Sequence, residues 1–388
     1  MSLISIIWLI MLSIFTVYSF LSLGIVYMLA INMDNIDKHV SAECSPPAFA
    51  DGPMVSMIIP CRNEEEDIGK CIESALAQSY PDKEIIVVDG NSEDGTWDMI
   101  CRYAGRIKAL RESERPKGWT GKNWGAYLGY RAADGQTLLF VDGDMVLEPD
   151  TVTKCVCTME QEKIDLLSLG PKMVMNGFWE KLMLPLFAQF IMLLYMPPLM
   201  NRDRGKWVMA NGQFLMARRE AYEKSGTHER IKGKIVEDVN LAKMFRASGF
   251  RVRFYWASQY LSTRMYRNFA ELWEGIVRDI QGEVGRRFHL YLLNALYIVA
   301  TFYLPVVFAL YFAFAGEALL ASISAISLIF IVLRMLVFQV GTDSPKWFSL
   351  LFPISMGTYL AMVLTAFSKA LRGADVVWKK RHYPITIK

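Results

Sequence analysis

The chain has 388 residues, enough for one large or two medium domains, and its net charge of +3 sets up no basic field of the kind a nucleic acid polymer requires. Apolar residues make up 53% of it and the mean hydropathy is +0.22, more than an ordinary soluble protein carries. The excess is concentrated. Residues 1–33, Leu290–Gly316 and Trp347–Ser368 contain no charged side chain, and Ala318–Thr342 contains only Arg334. About 20 apolar residues cross the hydrocarbon core of a bilayer, so each run predicts a membrane helix. The first reads as an anchor rather than a cleaved leader. It lacks a basic start, its apolar core is too long, and the nearest A-x-A, Ala48–Ala50, lies well beyond it.

Residues 34–53 are polar, with Pro46, Pro47, Gly52 and Pro53, and read as a linker. "MVSMIIP" (54–60) predicts a buried strand, followed by an N-capped helical pattern, "NEEEDIGKCIESALAQ". "KEIIVVDG" (83–90) is a second strand, "TWDMICRYAG" a helix and "RIKALRE" a short third strand. "NWGAYLGYRAA" is a further helix and "TLLFVDGD" a fourth strand. This alternation predicts an α/β domain with a mostly parallel, Rossmann-like sheet covered on both faces. Ligands of such sheets bind beyond the carboxyl ends of the strands. "CRNEEED", "DGNSEDGT" and "DGD" fall there. The domain is expected over 54–288, between the anchor and a C-terminal membrane bundle at 289–370, with a basic tail at 371–388. Within it, "FWEKLMLPLFAQFIMLLYMPPLM" (178–200) is apolar but interrupted by Lys181, Pro185 and Pro197–Pro198. It reads as helices lying in the membrane interface, the alternative being a buried core helix. The six cysteines include no C-x-x-C and the four histidines are far apart, so no zinc site is indicated. Cys155 and Cys157 read as small buried hydrophobes.

The fourth strand runs into Asp142 and Asp144. Two unpaired buried carboxylates are costly, and a divalent cation removes the cost. Such a cation completes its shell with water and substrate phosphates, so the pair points to a metal that holds a diphosphate. A bare D-x-D is a weak signal alone. Asp89, directly after the second strand, could accept a hydrogen bond from a nucleobase or ribose. Glu66 and Asp67 read as acids at a helix N-terminus, stabilised by its dipole.

The order P-x-R-N-E-E (60–65), V-V-D-x-x-S-x-D-G-T (87–96), D-x-D (142–144) and E-D (237–238) resembles an inverting family 2 glycosyltransferase, whose catalytic domain has the fold called GT-A. The resemblance runs from residue 54 to about 260. "PKGWTGKNWG" (116–125) and "VWKKRHYP" (377–384) are similar to the membrane-anchored branch that glycosylates lipids, including ceramide glucosyltransferases and hopanoid- and carotenoid-associated enzymes. The resemblance implies roles. Asp89 binds uracil or ribose with Glu64 near the nucleoside, and Pro60 and Arg62 belong to the same donor site. Lys117, Gly118, Trp119 and Lys122 lie along the nucleotide-sugar donor. Asp142 and Asp144 hold Mg2+ or Mn2+ against the diphosphate, with Asp142 also counted in the donor site. Gly212 and Gln213 lie near the donor sugar and acceptor. Asp238, with Glu237 beside it, is the catalytic pair, Asp238 being the general base. Inversion is a direct displacement, needing one base on the acceptor and electrophilic help for the departing diphosphate. Two plainer alternatives stand: Glu237 and Asp238 as an ordinary helix start, and Trp119 as packing.

Two departures from the family matter. Gly90 stands where the family has a second Asp, and no Q-x-x-R-W follows the base. In "IQGEVGRRF" (280–288), Gln281, Arg286 and Arg287 do not match that spacing, which argues against processive polymer synthesis. Arg264, Arg267, Arg278, Arg286 and Arg287 face the leaving diphosphate or lipid headgroups, or form a basic juxtamembrane stretch. The expected activity is transfer of a single sugar, glucose from UDP-glucose, to a membrane lipid hydroxyl at the cytoplasmic leaflet of the plasma membrane. The alternatives are transfer to a polyprenyl phosphate, a polysaccharide synthase, and, more weakly, a non-enzymatic scaffold. Nucleotide sugars are cytoplasmic, and the basic stretch 264–287 fits a cytoplasmic domain. The basic tail is expected on the same side, packed through "WKKRHYP" against the catalytic domain. Three C-terminal spans would put it outside, so the last run, with Pro353, Gly357 and Thr358, is expected to be re-entrant or to lie flat.

Overall fold

The computed structural model describes residues 3–40, 52–205, 207–374, 376–378 and 381–383. In chain order, α1 (Leu3–Ile31) precedes β1 (Val55–Cys61), α2 (Ile68–Leu76), β2 (Lys83–Asp89), α3 (Thr96–Cys101), β3 (Lys108–Arg111) and α4 (Gly121–Arg131). Then come β4 (Thr137–Val141), β5 (Met145–Leu147), α5 (Thr151–Glu162), β6 (Leu166–Gly170), β7 (Lys172–Met173), α6 (Phe178–Tyr195) and α7 (Pro197–Met200). They are followed by β8 (Phe214–Arg218), α8 (Arg219–Ser225), α9 (Glu237–Ala247), β9 (Val252–Trp256) and β10 (Leu261–Thr263). The chain closes with α10 (Phe269–Val284), α11 (Phe288–Ile298), α12 (Leu304–Phe314), α13 (Ala318–Gly341), α14 (Phe352–Leu371) and the hairpin β11 (Val376–Trp378) and β12 (Arg381–Tyr383). These divide into two compact units: Met33–Val174 with Tyr195–Met265, and Met1–Asn32 with Met175–Leu194 and Tyr266–Lys388.

The first unit is α/β. Its seven-stranded sheet has the order β3-β2-β1-β4-β8-β6-β9. All neighbours are parallel except β8, which is antiparallel to β4 and β6. Successive strand residues face opposite sides. Met57, Ile59, Val87, Leu139 and Val141 enter one apolar cluster; Ile58, Ile86, Val88, Leu138 and Phe140 enter another. Helices cover both faces, so the strands read as unbroken apolar runs. On one face α4 lies close to β1. A Cβ at Gly129 would stand 2.2 Å from Ile58 Cγ2, and one at Gly125 would stand 3.0 Å from Pro60 Cβ.

The helix after β1 starts at Ile68, not at the predicted Asn63. Asn63 takes φ +50°, and the Glu64 amide donates to Thr96 Oγ1 at 2.8 Å, so residues 62–67 bend toward the loop after β2 before the helix begins. Asp67 holds the N-cap position but makes no side-chain cap bond. The 178–200 segment is also more continuous than its interruptions suggest. α6 runs through Pro185, and the break falls at Met196, which has φ +50°, just before Pro197.

The second unit is helical. Among the described residues, five helices are long and apolar enough to cross a membrane by length and composition: Ile4–Ile31, Phe178–Tyr195, Phe288–Phe314, Ala318–Gly341 and Lys346–Leu371. α1 and α13 run parallel, since Thr16 Oγ1 meets Ser327 Oγ at 2.7 Å and Ser22 meets Arg334 one to two turns further on. α11 and α12 are joined by a π-helical stretch, Val299–Tyr303, into one rod antiparallel to α13, with Phe312 packed by Leu320 and Phe302 under Arg334. α14 starts halfway along this rod, where Tyr303 donates to the Pro353 carbonyl at 2.7 Å, and ends beside its beginning, where Phe367 meets Phe288 and Tyr291. α10 belongs to this unit rather than to the α/β domain, where a boundary at residue 288 had placed it. It buries Leu272, Ile276, Val277 and Ile280 and packs on α14. The tail hairpin lies beside α10.

Candidate active site

The site forms at the carboxyl ends of β1, β2 and β4, at the entry to β8, and at the N-terminus of α9. At its centre is Lys122, one residue into α4 from Gly121. Thr120 caps that helix by accepting from the Asn123 amide. Lys122 Nζ lies 2.7 Å from Asp142 Oδ1 and 2.9 Å from Glu237 Oε1, and donates to the Gly212 carbonyl at 3.3 Å. The expectation of two unpaired carboxylates is thus corrected for Asp142: an ammonium neutralises it. Even so, burial pushes the Asp142 carboxyl up to about 6; Lys122 opposes this and Asp144 adds to it. Asp144, the other half of the pair, accepts from Thr263 Oγ1 at 3.0 Å.

Asp238 sits in the first turn of α9. Its Oδ2 accepts from the Gly212 amide at 2.8 Å and its Oδ1 from the Val239 amide at 2.7 Å, so both oxygens are held by backbone. Burial, then the neighbouring Glu237 charge, pushes its carboxyl up to about 7, with Lys122 opposing. Gly212 lies where these groups converge. A Cβ there would stand 2.6 Å from Glu237 Oε1 and 2.9 Å from Lys122 Nζ. A larger residue would push the ends of both side chains aside. Gln213 contributes its carbonyl, which accepts from the Asp142 amide at 3.2 Å, while its side chain accepts from Asn211 at 3.0 Å.

A second cluster lies after β1 and β2. Asp89 is fully buried; it accepts from the Ser92 amide at 3.2 Å and from the Ser92 hydroxyl, and its Oδ2 lies 3.3 Å from Arg111 Nε. Its carboxylate therefore shapes the 90–96 loop from inside. Arg62 does the same from the other side, donating to the carbonyls of Gly90 (2.7 Å) and Asn91 and pairing with Glu93 at 2.8 Å. Glu64 stands between the loops, with its Cγ 3.4 Å from where a Gly143 Cβ would be. Gly90 has a physical reason: a Cβ there would lie 3.2 Å from the Cys61 carbonyl and 3.5 Å from the buried Glu112 carboxylate. Pro60 packs against α4. Trp119 is buried against Trp124 and Tyr127, with ring centroids 5.1 and 5.0 Å away. Lys117 and Gly118 lie on an exposed turn, Gly118 at φ +90°.

Lys122, Asp142, Gly212, Glu237 and Asp238 are thus brought together, while Asp89 and Arg62 are committed to loop structure. Sequence reasoning missed Asn123. Its amide donates to the carbonyls of Ile231, Lys232 and Lys234, which ties α4 to the approach to α9. The signal was present: an amide three residues after a capping threonine, inside a helix. It also missed His228, buried and bonded through Nδ1 to the Tyr222 hydroxyl at 2.7 Å. Burial pushes the imidazole down to about 4, so it is neutral behind Glu237.

Among the described residues no group of three or more His, Cys, Asp or Glu side chains could hold a metal. The donor set still fits a hard divalent cation, which needs only one or two carboxylates when substrate phosphates and water complete its shell. Asp142, Asp144 and Glu237 bring three carboxyl groups to the one ammonium of Lys122, and a bound cation would offset the excess.

Residues 56–226 match the sequence model of glycosyl transferase family 2. The match ends before Glu237 and Asp238. The 4,4'-diaponeurosporenoate glycosyltransferase of Staphylococcus haemolyticus (strain JCSC1435) is 24% identical over 249 residues, covering 63% of this chain and 66% of the relative. That of Staphylococcus aureus (strain USA300) is 26% identical over 235 residues, covering 60% and 62%. The chain thus spans a little under two thirds of the length of these relatives. Among solved structures, a mannosyltransferase from Pyrobaculum calidifontis in complex with GDP-Man and Mn2+ aligns with a TM-score of 0.51 and 18% identity, covering 93% of this chain and 99% of that one. That likeness is one of fold, and the α/β unit has the GT-A arrangement.

Proposed function

We propose, from the premise that residues 56–226 are a family 2 glycosyltransferase domain, that the protein moves a single sugar from a nucleotide-diphosphate donor to a membrane lipid, with inversion. Glucose from UDP-glucose is the donor we assign. The observation that carries the reading is the pairing of Asp238 with Gly212 beside the Lys122–Asp142–Glu237 cluster. A base and the groups that would hold a diphosphate, Lys122 directly and Asp142 through a cation, then lie within one group of contacts.

Asp238 takes the proton of the acceptor hydroxyl on a carboxylate oxygen. Its raised pKa matches the task, since a base works best when its pKa lies near the working pH. Backbone bonds to both oxygens fix its plane. Glu237 is a positioning residue: it holds Lys122, and Lys122 presents its charge where the diphosphate departs. Asp142 and Asp144 would hold Mg2+ or Mn2+, which neutralises charge on the leaving diphosphate when bound. Arg62 and Asp89 keep the 90–96 loop in shape for the nucleoside.

A carboxylate acceptor is a second reading, favoured by the relatives' name, 4,4'-diaponeurosporenoate. A carboxylate is already ionised and needs no base. Replacing Asp238 separates the two readings, because only a hydroxyl acceptor depends on it. The function itself is tested with purified protein in lipid, Mn2+ and labelled UDP-glucose, following label into the organic phase with and without native lipid extract. Lipid-dependent label that EDTA abolishes is expected. No label from UDP-glucose, UDP-galactose, UDP-N-acetylglucosamine or GDP-mannose would overturn the reading.

A further inference from the structure

The helical unit contains a charge that the transfer reaction does not use. Arg334, on α13, is 1% exposed. The helices around it bring no acid: residues 1–33, 290–316 and 318–342 contain no Asp or Glu. Arg334 Nη1 donates to Ser22 Oγ of α1 at 3.2 Å, and its guanidinium carbon lies 4.5 Å from the Phe302 ring centroid. The Tyr297 hydroxyl is a further polar neighbour. Nε and Nη2 have no hydrogen-bond partner among the described residues.

That free edge has a defined shape. Nε–H and one Nη2–H point the same way and match the two oxygens of a carboxylate or phosphate. A charge at this depth without a counter-ion is expensive, and in membrane proteins it usually marks a binding or transport site. Two further features suit a bound group. Phe302 belongs to the π-helical stretch Val299–Tyr303, and such widened turns recur at functional sites. Tyr297 also bonds to Tyr18 of α1, which is 39% exposed, so a run of polar groups leads from the outer face of the unit to the guanidinium.

We propose that Arg334 anchors an intramembrane oxyanion site that takes the carboxylate or phosphate group of a membrane lipid. Ser22 and Tyr297 flank the guanidinium, and the Tyr18 side is the way in. The site is independent of the transferase reading and is tested without sugar transfer.

The test uses the full chain in dodecyl maltoside micelles, which carry no carboxylate or phosphate, with palmitate or phosphatidylglycerol added and retained lipid read by native mass spectrometry. The wild type should hold one equivalent of at least one of them, saturably. Competition between the two tells a carboxylate lipid from a phospholipid. Arg334→Lys keeps the charge but not the fork, and should bind at least about tenfold more weakly, as loss of one charge-assisted hydrogen bond implies. Arg334→Met should bind more weakly still; if it does not fold, Arg334→Lys carries the test alone. Equal retention by wild type and Arg334→Lys, or no saturable retention of either lipid by the wild type, would overturn the proposal.

Discussion

Asp238 and Gly212 form the most constrained pair in the site, and three expectations rest on them. Asp238→Asn keeps the shape and removes the base. Turnover onto a hydroxyl acceptor should fall by about a hundred- to ten-thousandfold, with donor affinity retained. Unchanged turnover would remove Asp238 as the base. In wild type, kcat/KM should rise with pH and level off above about 7, because the carboxyl must lose its proton to act. The same raised pKa makes the folded state prefer the protonated form. Asp238 therefore contributes stability that is present near pH 4 and lost as pH rises through about 7. Asp238→Asn gives up one of the two backbone-bonded acceptors at every pH, so the melting temperature of the donor-free variant relative to wild type should rise between pH 4 and pH 8. Gly212→Ala would drive a methyl group into the Lys122–Glu237 pair. A loss of about 1–3 kcal/mol in stability, read by denaturant titration, is expected together with loss of turnover. Asp142 and Asp144 stood out in the sequence because a strand runs straight into them, and Asp238 only through the family resemblance. The pairing of Lys122 with Asp142 and Glu237 was not, because it joins three elements far apart in the chain. Asp89 was legible as a residue but not as a buried one, since its partners Ser92 and Arg111 become neighbours only once β2 and β3 align.

At the scale of elements, alternating strands and helices were readable because β-branched runs and turn residues alternate so regularly. The antiparallel β8 was not, because its direction depends on a long excursion through α6 and α7. Thr16 and Ser22 align α1 with α13, and Pro353 meets the middle of the α11–α12 rod, so α13 and α14 both run back toward the start of α11. α14 matches only the first half of that rod and does not traverse its length. The end of α1, the start of α11 and the end of α14 therefore share one end of the helical unit. With that end cytoplasmic, as a nucleotide-sugar donor requires, a C-terminal tag should resist protease added to intact cells and be cut in inside-out vesicles. Cleavage from outside sealed cells would contradict this topology.

For the whole molecule, a GT-A domain and a set of apolar helices occur in one chain. The composition pointed to both, because the charge-free runs lie outside the α/β pattern. It could not fix the boundary near Met265, because α10 carries enough polar residues to resemble a soluble helix and only its packing on α14 assigns it. The proposed lipid acceptor suits this pairing: such an acceptor is confined to the bilayer while a soluble donor arrives from water. With Asp238 as the proposed base, the chemistry we propose is direct displacement. The stereochemistry of the product tests that most directly. With UDP-α-glucose, Mn2+ and native lipid extract, proton NMR of the purified glycolipid should show a β-linked glucose. An α-linked product would contradict displacement by a single base and with it the role given to Asp238.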